Sequence, residues 1–118
     1  MGTRTVAKEG IEGGAFLATW LNLTTTDADG ERVAYAGASD RTVQVVGTFG
    51  AGGTVVIEGS NDGTNWATLT DPQGNALSFT AAKVETVMEL TRYIRPRVTG
   101  GDGTTDLTVI LLMRSTWK

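Results

Sequence analysis

The run Val55-Val56-Ile57-Glu58-Gly59-Ser60-Asn61-Asp62-Gly63-Thr64-Asn65-Trp66 constrains the fold of this chain more than any other stretch. Alternation puts Val55 and Ile57 on one face of an extended segment, and Val56 and Glu58 on the other. Asn61-Asp62-Gly63 supplies residues that tolerate positive φ, so the chain reverses there and Trp66 to Leu69 returns as a second strand. A β-hairpin is the direct reading. Two more strands follow, Tyr93-Ile94-Arg95-Pro96-Arg97-Val98 and Asp106-Leu107-Thr108-Val109-Ile110-Leu111-Leu112-Met113, joined by the glycine-rich loop 99–105.

The same alternation recurs elsewhere. In Arg41 to Phe49, Val43, Val45 and Phe49 share a face opposite Thr42, Gln44 and Thr48. In Ala15 to Leu23, strict alternation puts Leu17, Leu21 and Leu23 on one face and Phe16 and Trp20 on the other. Glu31 to Ala36 reads as a short strand ahead of the turn Gly37-Ala38-Ser39-Asp40, and Ala76 to Phe79 follows the turn cluster Asp71 to Asn75. Lys83 to Leu90 is helix-compatible by propensity, but its neighbours make it a strand. Pro96 has no amide hydrogen, so its strand lies at a sheet edge or breaks its ladder there. Trp66 is expected to fill the core beside Leu69 and Phe79.

With 118 residues the chain suits one domain. Its 16 glycines and 2 prolines, with abundant Val and Thr, favour β-branched strands between glycine turns. Eight or nine strands are counted, with no alternating helices to suggest a parallel sheet. The expected fold is all-β: an antiparallel β-sandwich of jelly-roll type, with a small closed β-barrel as the alternative. Residues 1–14 are expected to form an N-terminal arm or edge strand, and residues 15–118 the sandwich.

Cysteine and histidine are both absent, which removes disulfides, thiolate or imidazole zinc sites, and Ser/His/Asp or Cys/His catalysis. A net charge of −3 argues against a nucleic-acid partner. The first ten residues lack a signal-peptide core, and no apolar run reaches membrane-spanning length. The expectation is a soluble protein made in the cytoplasm, with no membrane association and no cofactor.

Several polar groups are candidates for chemistry. Asp27-Ala28-Asp29-Gly30-Glu31 offers oxygen ligands but lacks the rest of an EF-hand loop, so a solvated acidic turn is the better reading, as it is for Asp102 and Asp106. Asp62 and Asp71 have nothing in the sequence to fix a catalytic separation. No metal site and no enzymatic activity are expected. Arg92, Arg95 and Arg97 cluster on one strand, with Arg95 and Arg97 pointing together with Tyr93. Such a face is either solvated or suited to an acidic surface.

The order Val56 to Trp66, a Leu-containing strand, Arg92-Tyr93-Ile94-Arg95, a glycine loop and a final apolar strand resembles discoidin-type jelly-roll domains. Over about residues 41–113 it is also similar to small phage virion proteins, especially head decoration or cement proteins. Discoidin domains are usually longer, secreted and disulfide-closed, and this cysteine-free chain departs from them on those counts. The resemblance therefore implies a virion component on the outer surface of a phage head. The major capsid protein would be its partner, and a carbohydrate-binding or structural module of a tail or tailspike is the alternative.

Two strands, Ala15 to Leu23 and Asp106 to Met113, carry bulk on both faces, more than one sandwich layer can cover. A homo-oligomer is expected to cover it, with a trimer as one form and residues 1–14 reaching a neighbour. The residues expected at subunit or capsid contacts are Arg4, Lys8, Phe16, Trp20, Arg95 and Arg97.

Overall fold

The computed structural model describes residues 2–11, 14–34 and 38–114. Residues 12–13 of the expected arm, the start of the turn at Gly37 and the last four residues lie outside this range. Twelve strands are present among the described residues: β1 (Thr3–Arg4), β2 (Val6–Ile11), β3 (Ala15–Leu23), β4 (Asp29–Gly30), β5 (Val33–Ala34), β6 (Asp40–Thr48), β7 (Thr54–Ser60), β8 (Ala67–Thr68), β9 (Ser78–Phe79), β10 (Lys83–Thr86), β11 (Tyr93–Gly100) and β12 (Asp106–Arg114). The count exceeds the expected one because five of these strands have only two residues.

They form two sheets. One has seven strands, ordered β1-β4-β11-β7-β8, with β5 also on β11 and β9 on β7; the other runs β10-β6-β12-β3-β2. All pairs are antiparallel except β1 with β4. The pairing is nested: β6 and β7 pair with β12 and β11, and β3 and β4 pair with the same two strands in the same order. A long ribbon thus folds over from one sheet to the other, as in a jelly roll, and the sheets do not close into a barrel.

Alternation decides what fills the space between the sheets. Val43 and Val45 of β6, Val55 and Ile57 of β7, Ile94 and Val98 of β11, and Leu107, Val109, Leu111 and Met113 of β12 are all buried there. Pro96 explains how a proline sits on a central strand. It is paired with Ile57, whose own N–H points away from β11, donating to Leu77 O at 3.0 Å. The missing donor of Pro96 therefore faces the other side of β11, where the ladder passes from β5 at Ile94 to β4 at Arg97. The ladder is broken where the donor is lacking.

Strand β3 departs from strict alternation. Trp20 pairs with Val109 and Leu23 with Leu107, so two residues of β3, Leu21 and Asn22, oppose the single Thr108. Asn22 takes φ 58° at this bulge, a left-handed conformation that asparagine tolerates better than most residues. The bulge lets Ala18, Trp20 and Leu23 all point inward, while Leu21 is turned out to solvent. Trp20, expected at a subunit contact, is therefore a core residue, 1% exposed, with its indole N–H donating to Glu31 O at 2.8 Å.

The described N-terminal residues pair within their own chain. β1 joins the seven-stranded sheet and β2 forms the edge of the other, with Val6 opposite Trp20. The acidic turn holds them in place. Glu31 Oε1 accepts from Val6 N at 2.9 Å, and Asp27 pairs with Arg4 at 2.9 Å. β1 and β2 each stand at the edge of their sheet.

Candidate functional site

The six residues expected at contacts fall into four places. Arg4 is engaged by Asp27 and by Asn22 O, to which its Nε donates at 2.7 Å. Trp20 is in the core. Lys8 and Phe16 line one open recess of about 170 Å³ with Leu17, Val33, Ala34 and Met113. Arg95 and Arg97 stand together on the outer face of the seven-stranded sheet.

That outer face is built on β11 and β7. Tyr93, Arg95 and Arg97 take alternate positions on one strand, and Arg95 lies directly opposite Glu58 on the other. Glu58 is 4% exposed. Its two oxygens accept from Arg95 Nε at 3.2 Å and Arg97 Nε at 2.9 Å, so one carboxylate fixes two guanidinium groups. The aromatic rings hold further cations. The Arg95 guanidinium lies 4.0 Å from the centre of the Trp66 ring, and those of Arg32 and Arg92 lie 4.3 Å and 4.9 Å from that of Tyr93. Trp66 is thus half-exposed under a guanidinium, not in the core where its place beside Leu69 had put it. β8 begins only at Ala67, so Trp66 is not bound to the alternation that buries Leu69.

Sequence spacing brought Arg95, Arg97 and Tyr93 together but missed Arg32, which is remote in the chain and arrives with β5. The available signal was the position of Arg32 just ahead of the β-branched Val33, where a short edge strand could bring it beside Tyr93.

The five-stranded sheet presents a different outer face. Val84, Gln44, Ile110, Thr19 and Ala7 stand in register across all five strands, and Thr86, Thr42, Leu112, Leu17 and Glu9 form the next row. Ile110, Leu112 and Leu17 are half-buried, and Val84 and Leu21 are 55% exposed. The middle of this face carries threonine, glutamine and aliphatic side chains. Its charges, Glu9, the Arg114–Asp40 pair and Asp106, stand at the margins. No layer of the described chain covers it. The two-sided bulk read from Ala15 to Leu23 and Asp106 to Met113 is therefore real in β12, and in β3 it is carried by Leu17 and Leu21.

The carboxylates weighed for chemistry are engaged in turns. Asp62 accepts from Ser60 Oγ and from the backbone N–H groups of Thr64 and Asn65, with Gly63 at φ 79° beside it. These donors, the Asn65 amide first, hold its pKa far below the carboxylate range. The Asn75 amide does the same for Asp71, to a lesser degree. Asp102 is pulled from 3.8 to about 2 by the Thr104 hydroxyl and by the amides of Ala51 and Thr104. Such groups stabilise turns in their ionised form; they are not tuned to exchange a proton near neutral pH.

The fold and its surfaces define a β-sandwich with one arginine-rich face and one partly apolar face whose middle is uncharged. No protein-family model matches the chain, and no curated protein is significantly similar to it.

Proposed function

We propose that this protein is a structural component of a phage particle, a decoration or cement protein that binds the outer surface of the head and strengthens contacts between major capsid subunits. The single observation that carries the reading is the uncovered outer face of the five-stranded sheet. Ile110, Leu112, Leu17 and Val84 sit there in register, with charge kept to the margins. Apolar rows of this kind gain free energy when a neighbour removes them from water, at roughly 25 cal/mol per Å². The resemblance of residues 41–113 to small virion proteins supplies the setting.

The sheet also has two edges, β2 and β10, whose outer sides have no strand partner among the described residues. Pairing β2 of one copy with β10 of the next is a head-to-tail contact, which closes into a ring such as a trimer when the rotation permits. Binding many copies to one shell multiplies modest contacts into mechanical resistance. In this reading no bond is made or broken, and the protein acts by binding alone.

Adding the purified protein to heads assembled without it tests the proposal. The expected result is retention on the heads and a raised temperature of DNA release. Heads that retain no protein and release DNA at the unchanged temperature would reject it. The tail-module alternative would need an aromatic on which a sugar ring could stack, and half-exposed Trp66 already carries the Arg95 guanidinium at 4.0 Å. Saturable binding on a glycan array, with no affinity for heads, would favour it.

A further inference from the structure

The outer face of the seven-stranded sheet gathers four of the chain's ten Lys and Arg residues: Arg32, Arg92, Arg95 and Arg97. The carboxylates near them are few. Glu58 is engaged by Arg95 and Arg97; Asp29, opposite Arg97 in register, forms no ion pair among the described residues; Asp62 is turned onto its own loop. The face is therefore positive on a protein whose net charge is −3.

Its donors are also unused. Arg95 and Arg97 each give Nε to Glu58, so their Nη groups have no acceptor among the described residues. Arg32 and Arg92 lie over the Tyr93 ring, Arg32 also against Gly63, and neither side chain has an ion pair or hydrogen bond among the described residues. The side chains are nonetheless held in place. Glu58 fixes one pair by charge-assisted hydrogen bonds, and the rings of Trp66 and Tyr93 support Arg95, Arg32 and Arg92 from beneath. Fixing a guanidinium beforehand removes part of the entropy that binding a carboxylate would otherwise cost.

We propose that this face is a docking surface for an extended acidic segment of a partner protein, one with carboxylates at alternate positions. Charge complementarity is the first argument. The second is spacing: Arg95 and Arg97 are two residues apart on one strand, and alternate carboxylates of an extended peptide repeat at the same distance, roughly 6.6 Å. Forked guanidinium donors match carboxylates in paired hydrogen bonds. A single-stranded nucleic acid fits less well. Tyr93 and Trp66 already carry guanidinium groups on their rings, which occupies the surfaces a base would stack on, and the net negative charge opposes a polyanionic backbone. The proposal is independent of the virion reading, which concerns the other sheet.

The test is fluorescence anisotropy with a labelled peptide of alternating Glu and Thr, beside the same peptide with Gln for Glu and a labelled oligodeoxythymidine. The expected result is saturable binding of the Glu peptide, weakened by added salt, with no binding of the Gln peptide. The double variant Arg32→Gln/Arg92→Gln should bind about tenfold more weakly or worse, while Lys83→Gln, on the other sheet, binds as the parent does. Both arginines are exposed and outside any ion pair among the described residues, so an unchanged melting temperature is expected; the single variants, each with part of the loss, serve if the double variant melts early. No saturable binding at low salt, equal binding of the Gln peptide, undiminished binding by the arginine variants, or tighter binding of the oligonucleotide would each overturn the proposal.

Discussion

At the scale of single residues, Trp20 and Glu58 separate what alternation reveals from what it hides. Trp20 lies between the sheets with Ile57, Ile94, Pro96 and Val109 around it, and its indole N–H is satisfied by Glu31 O. Replacing it with Ala should cost about 3–5 kcal/mol of folding stability, read by urea denaturation. A loss below about 1 kcal/mol would mean that the tryptophan is not the centre of the core. Glu58 was legible only as an outward residue of β7. Its place between two arginines depends on the β7–β11 register, which no local pattern states. Glu58→Gln keeps the shape and removes the charge. Because Arg95 and Arg97 are partly solvated, we expect a loss of only about 1–2 kcal/mol by the same measurement. The inward side of Trp20 was hidden for a different reason: a period-two count groups Leu17, Leu21 and Leu23 on the opposite face and cannot register the bulge at Leu21 and Asn22, which brings Leu23 round to the side of Trp20.

At the scale of elements, strands with a clear alternation were readable and their fastenings were not. β6, β7, β11 and β12 follow the pattern of their valines, isoleucines and leucines. The short strand β4 does not: Asp29–Gly30 looks like turn sequence, and it is a strand because Gly30 lets it press on β11 and β3. A Cβ at Gly30 would stand 2.6 Å from Pro96 Cδ and 2.8 Å from Trp20 Cδ1. Gly30→Ala should therefore destabilise the fold by about 1–3 kcal/mol, seen as a lower melting temperature; an unchanged one would show that β4 can move aside.

The loop expected at 99–105 begins later, because Thr99 and Gly100 extend β11, and its tie to the neighbouring loop was not visible. Asp102 reaches across to the Ala51 amide at 2.9 Å while binding Thr104. Its folded pKa of about 2 lies below the ordinary 3.8, so its stabilisation is present above 3.8 and fades as the pH falls through about 2. Amide resonances of Ala51 and Thr104 should shift together in an NMR titration, with a midpoint near 2. A shared midpoint at the ordinary 3.8 would contradict the tie.

At the scale of the whole molecule, the sandwich follows from many short β-branched runs with glycine turns, and the excess bulk of β12 pointed to a face that one layer leaves bare. Composition did not reveal how differently the two outer faces are made. Charge gathers on the seven-stranded sheet because Arg32 and Arg92 come from segments on either side of Tyr93. The middle of the five-stranded sheet stays uncharged because its outward rows are drawn from Val, Ile, Leu, Thr and Gln. The central claim is that this second face is the one that meets the particle. Co-sedimentation with heads assembled without the protein, comparing the parent with Ile110→Glu/Leu112→Glu, tests it most directly. The parent should pellet with the heads, and the variant, still folded by circular dichroism, should remain in the supernatant. Equal pelleting of the two proteins would contradict the claim.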